Sequence, residues 1–184
     1  MVKFLEEGNL RFDFSSCPLV SAPEKFDENP PNGTSSVDFV AETTDCLYFI
    51  EVKDYQNPNS PEVKHQENYT MLVAAGKGKK ELLGDELSSL RGEIFCLRIS
   101  QNVKDSLLRK YVLGEVITKK VIYLIFINLD KLGQKERRRL KEKLHGYIPT
   151  GFNEGKYIHF KGISYDIVNA EQIKTYGITC TTKA

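Results

Sequence analysis

Val37–Tyr55, V-D-F-V-A-E-T-T-D-C-L-Y-F-I-E-V-K-D-Y, decides the fold. Val37 to Ala41 and Cys46 to Val52 are rich in β-branched and aromatic residues, the composition of strands. Thr43, Thr44 and Asp45 between them are turn formers. The stretch therefore predicts a hairpin, apolar on much of both faces. Among its charged residues Asp38, Glu51 and Lys53 stand out. Charged groups rarely enter apolar strands without a partner or a metal. Side chains alternate along a strand, so Glu51 and Lys53 project from one face. With Asp38 across from them, two carboxylates and one ammonium converge.

Two carboxylates with water make a hard oxygen site suited to Mg²⁺ or Mn²⁺. A lysine beside the metal can orient a water or hold a phosphate oxygen, which is the equipment of metal-assisted phosphodiester hydrolysis. A glycosidase also uses two carboxylates, but it has no need of the lysine, and this chain has no Trp.

The pattern D38-(x12)-E51-V52-K53 resembles the PD-(D/E)XK nuclease superfamily, with Val37 where the name-giving proline would stand. The resemblance covers Val37–Asp54 and, loosely, the helix–strand order after it. It implies a deoxyribonuclease in which Asp38 and Glu51 ligate Mg²⁺ or Mn²⁺ with help from the Val52 carbonyl. Lys53 would position the attacking water. It also implies a further acid upstream, for which Glu6, Asp27 and Glu28 are candidates. The bland reading stands beside it: Asp38 opens a strand next to Ser35–Ser36, Glu51 pairs with Lys53 on an exposed face, and Lys53 and Asp54 end the strand in solvent. A second functional reading is a catalytically inactive nuclease-fold module that binds DNA or a partner protein.

Outward from the hairpin, Leu10, Phe12 and Phe14 alternate with Arg11 and Asp13, as in a half-exposed strand. Cys17 to Lys25 reads as irregular, and Asp27 to Ser36 is a loop by composition. Downstream, Pro61 can open a helix over Glu62–Ala75 with Ser60 as its N-cap. Gly76–Lys80 then exposes three lysines, of which Lys77 and Lys79 are candidates for DNA phosphates. They do not form a nucleotide loop, because the G-x-x-x-x-G-K-[ST] pattern is missing. Leu83, Leu87 and Leu90 make a helical stripe that Gly92 ends. Glu93–Ser100 is too short for its period to decide. Val103, Leu107, Leu108 and Tyr111 mark another amphipathic helix, ended by Gly114.

Val121–Leu129, V-I-Y-L-I-F-I-N-L, is apolar on both faces, as in a central strand covered by helices. Asp130 is a candidate N-cap for a helix over Lys131–Leu144 with Leu132, Leu140 and Leu144 inside. Its outer face is basic. Lys135, Arg138 and Arg139 there suit phosphate contacts that carry no sequence information. Tyr157–Phe160 and Ile163–Val168 read as a terminal hairpin, and the Thr-rich tail from Lys174 reads as fraying. The order predicts an α/β fold, a central mixed sheet flanked by helices, and 184 residues suit one domain.

Net charge is +1, so any surface for DNA must be local. Cys17, Cys46, Cys96 and Cys180 form no C-x-x-C, and with three dispersed histidines they argue against zinc. Free thiols point to a reducing cytoplasm. No apolar run reaches the length of a membrane span. The expected partners are DNA and a larger DNA-processing complex or a second copy of the chain.

Overall fold

The computed structural model describes residues 3–26, 33–57, 59–60, 90–129, 133–150 and 161–183. The Val37–Tyr55 stretch forms the expected hairpin: β4 is Phe39–Glu42 and β5 is Cys46–Asp54. Thr43 closes the turn, its N–H donating to the Cys46 carbonyl and its Oγ1 accepting from the Cys46 N–H. A two-residue strand, β3 (Glu24–Lys25), pairs with β4. β5 then pairs in parallel with β6 (Lys120–Asn128), and β6 with β7 (Ile163–Val168). The result is a mixed sheet in the order β3-β4-β5-β6-β7.

Parallel neighbours need crossovers. Helix α1 (Leu90–Val112) lies in the first and α2 (Gln134–Leu144) in the second. Both pack on one face of the sheet, where Phe49, Tyr123, Ile125, Ile127, Ile163 and Ile167 meet Cys96, Ile99 and Val103 of α1 and Leu140 and Leu144 of α2. The opposite face, with Phe39, Ile50, Val52, Leu124 and Phe126, is covered by a second, antiparallel sheet. It is built from β1 (Phe4–Glu7), β2 (Leu10–Asp13) and β8 (Thr179–Thr182) in the order β1-β2-β8. Phe12 is fully buried between the sheets and meets Phe39 and Phe126 edge to face at 5.2 and 4.9 Å.

Several expectations are corrected. Gly92 does not end a helix; α1 runs through it. A glycine inside a helix costs about 1 kcal/mol against alanine, less than the burial of Cys96, Ile99 and Val103 supplies. The stripe of α1 is also rotated from the expected one. Leu108 and Tyr111 are 55% and 77% exposed, while Lys110 is buried with its ammonium 2.6 Å from Glu115 Oε2. A lysine can bury its stem when its head is paired. Gln134, not Lys131, begins α2, with Gly133 at its N-cap. The tail does not fray: Thr179–Thr182 pairs along β2. The proposed helix at Glu62–Ala75, the Leu83–Leu87 stripe, Lys77, Lys79, Asp130, Leu132 and the strand at Tyr157–Phe160 lie outside the described residues.

Candidate active site

Asp38 sits at the broken end of the β4–β5 ladder. Phe39 pairs with Ile50 at the last step of that ladder, and Asp38 lies one residue beyond it. Regular pairing has already failed there. The Asp38 N–H donates to the Ile50 carbonyl at 3.0 Å, and the Val52 N–H donates at 2.6 Å to the Asp38 side chain, Oδ2. A carboxylate has taken the place of a strand carbonyl. Helix α1 holds the segment before it. Asp105 Oδ2 accepts from the Ser35 N–H at 2.9 Å and from Ser35 Oγ at 3.2 Å, and Ser106 Oγ accepts from the Val37 N–H at 3.1 Å. Gln101 Nε2 donates to the other Asp105 oxygen at 2.7 Å.

Glu51 and Lys53 project to the helix-covered face of β5, between Phe49 and Tyr55. Glu51 is 2% exposed. Its Oε1 receives Lys53 Nζ at 2.8 Å, and the Lys53 side chain is 20% exposed. Its Oε2 is buried with no hydrogen-bond partner. A buried carboxylate oxygen without a donor is costly, and the single ammonium offsets only part of that. Burial, and next the Glu51 charge, push the Asp38 carboxyl well above its usual range, against the pull of Lys53 and the Val52 N–H. Burial and the same two carboxylates raise the Tyr123 phenol, whose hydroxyl donates to the Ile99 carbonyl at 2.9 Å. Asp38, Glu51 and Lys53 therefore influence one another electrostatically, near the C-terminal end of a parallel strand pair, where α/β sheets place ligands.

The donor set fits a small hard cation. Glu51 keeps one buried oxygen without a hydrogen-bond partner, and its charge acts on the Asp38 carboxyl. The N–H and C=O of one strand residue point to the same side. The Val52 N–H reaches Asp38, so its carbonyl points to that edge too. Among the described residues no group of three or more His, Cys, Asp or Glu side chains gathers for a metal, so backbone and water would have to complete the shell.

The bland reading is corrected at two points. Glu51 pairs with Lys53, but in the interior rather than on an exposed face. Asp54 does not end the strand in solvent: it is buried, and its Oδ1 accepts from Gln56 N, Asn57 N and Asn128 Nδ2. Of the upstream acids, Glu6 turns away to Lys183 Nζ at 2.7 Å, and Asp27 and Glu28 lie outside the described residues. Glu7, which sits 3.6 Å from Lys25 Nζ, adds to the rise of the Asp38 carboxyl only after burial and Glu51. The fold lays the Gly8–Asn9 turn that follows it beside Asn57, after β5. Asp105 and Ser106 were missed, since nothing in a helix sequence says which loop it will anchor.

The basic residues of α2 lie elsewhere. Lys135, Arg138 and Arg139 are exposed; Arg138 is 81% so, and its Nε donates to Glu142 at 2.8 Å. All four cysteines are free, with Cys17 and Cys96 buried. Among the described residues no helix is long and apolar enough to cross a membrane. No protein-family model, curated protein or solved structure matches the chain.

Proposed function

We propose that this chain is a Mg²⁺- or Mn²⁺-dependent phosphodiester hydrolase acting on DNA, on a restriction-endonuclease-like fold of the PD-(D/E)XK type. The observation that carries the reading is the buried, unpartnered Oε2 of Glu51, whose other oxygen holds Lys53 and whose charge acts on Asp38. Asp38, Glu51 and the Val52 carbonyl would hold the cation. When bound, it supplies Lewis-acid polarisation of the phosphate and relieves the repulsion between the carboxylates. Lys53 then exchanges Glu51 for the reacting groups. It orients the attacking water and places positive charge where the phosphoryl oxygens gather negative charge. Water adds to phosphorus and gives up a proton to solvent as the bond to the leaving sugar oxygen breaks, and that oxygen takes a proton from solvent. The Asp38–Val52 clamp and the Asp105 and Ser106 anchors keep the carboxylates from drifting as charge builds.

The inactive binding module has its own support. Both carboxylates already have internal partners, Asp38 the Val52 N–H and Glu51 the Lys53 ammonium. The apolar groups exposed at the end of α1, Tyr111, Val112, Leu113 and Val116, suit a partner protein or a second copy of the chain. Four free thiols favour a cytoplasmic setting.

The deciding experiment offers supercoiled plasmid, linear duplex and single-stranded DNA to the purified chain with saturating Mg²⁺ or Mn²⁺. The hydrolase cleaves at least one, and Asp38→Ala and Glu51→Ala each abolish cleavage. DNA binding without cleavage leaves the module. Cleavage that survives both substitutions removes the assignment of this site.

A further inference from the structure

A groove of about 780 Å³ lies between α2 and β7. Arg137, Arg138, Lys141 and His145 line it from α2, and Tyr165 lines it from β7. Arg137, Lys141 and His145 recur every four residues, so they stack along one side of the helix, each about 6 Å further on. Two acids share the groove. Glu142 accepts from Arg138 Nε, and Asp166 accepts from Lys141 Nζ at 3.0 Å and from the Tyr176 hydroxyl at 3.0 Å. Neither is the partner of Arg137 Nε, which is buried and makes no hydrogen bond. A desolvated guanidinium N–H without an acceptor is costly, and the groove beside it has room for one.

Arg137 and Lys141, cations one turn apart with the His145 donor a turn further on, match a polymer with evenly spaced charges better than they match one carboxylate. Tyr165 adds an aromatic ring among them, fixed by its hydroxyl donating to the Lys141 carbonyl at 2.8 Å and by Lys141 Nζ 5.9 Å from its centroid. Cations tracking a backbone, with a ring for a base, are how single strands are held. The groove is also within reach of the hairpin. Glu51 pairs with Ile125 and Ile125 with Ile167, which lines the groove. The Glu51 and Ile167 backbones are therefore two strand spacings apart, about 10 Å.

We propose that this groove seats the backbone of a single nucleic-acid strand outside the Asp38–Glu51–Lys53 centre. Arg137 forks onto a phosphate and Tyr165 lies against a base. The proposal rests on the reading that the chain acts on nucleic acid, but not on its being an enzyme. Its test runs in EDTA with a fluorescein-labelled 20-nucleotide oligothymidylate, a 20-base-pair duplex and polyglutamate, by anisotropy across a salt series. Oligothymidylate binds the whole chain more tightly than either competitor. Arg137→Ala raises its Kd by about tenfold and lowers the salt slope by about one; Arg137→Lys falls between, and Lys104→Ala on α1 changes nothing. Unchanged affinity in an Arg137→Ala protein that melts like the wild type overturns the proposal, and so does polyglutamate binding as tightly as DNA. If Arg137→Ala does not fold, His145→Ala with Tyr165→Leu takes its place under the same criteria. Strand binding through Arg137 in a chain that cleaves nothing with Mn²⁺ sinks the hydrolase and keeps the groove. Metal-dependent cleavage with Arg137 indifferent does the reverse.

Discussion

Replacing Asp38 by asparagine takes one negative charge from beside Glu51 and leaves an oxygen to accept the Val52 N–H. In the wild type, burial and the Glu51 charge raise the Asp38 carboxyl well above its ordinary value of 3.8. The folded protein thus binds this proton more tightly than the unfolded chain does. The Asp38 contribution is then most favourable below pH ~4 and declines as pH rises through the raised pKa. Each tenfold difference in proton affinity between the folded and unfolded states removes about 1.4 kcal/mol. Above that range the folded state carries an ionised, repelled carboxylate. Asp38→Asn removes the decline, so without divalent ions it is the more stable protein at pH 7. Metal reverses the order. Mn²⁺ at ~100 times its Kd adds about 2.7 kcal/mol to a site that binds only the folded state. For a chain of this size that is a rise in Tm of roughly 5–10 °C, and Asp38→Asn loses it. The assay is thermal unfolding by circular dichroism from pH 4 to 8, with EDTA or with Mn²⁺. An asparagine variant less stable than wild type at pH 7 in EDTA, with the Mn²⁺ response intact, would refute the reasoning and leave Asp38 as a cap on the Val52 N–H.

Lys53→Ala keeps the Mn²⁺-induced rise in Tm, because the ammonium does not hold the ion, yet slows plasmid cleavage by roughly 10² or more. Without metal it also lowers stability by about 3–5 kcal/mol, since Glu51 is left buried and unpaired; urea unfolding reads this, and an unchanged midpoint contradicts the buried pair. Reversing Arg138 and Arg139 to glutamate weakens DNA binding alike for all sequences and lowers the salt slope by about one for each phosphate no longer neutralised; unchanged affinity and slope make that face ordinary solvated surface. Gly177→Ala destabilises by about 1–2 kcal/mol or more. Gly177 has φ +72°, and an added Cβ would stand 2.8 Å from the Ser16 carbonyl oxygen; a wild-type melting curve disproves this.

The hairpin, the central strand β6 and the apolar stripe of α2 were legible because each writes its period locally. So was the anomaly of Asp38, Glu51 and Lys53, since charges in an apolar strand stand out without any knowledge of the fold. Alternation alone put Glu51 and Lys53 on one face, as they are. Tertiary structure decided the rest. It buried Glu51 and left one of its oxygens without a donor, because α1 packs over that face. It turned the stripe of α1 past Leu108 and Tyr111, because Glu115 lets Lys110 go inside. It made a strand of the Thr-rich tail, because β2 offered an edge from the far end of the chain. Sequence order carries what is periodic and local. Which oxygen lacks a partner depends on contacts between distant residues, and only the closed fold brings those into being.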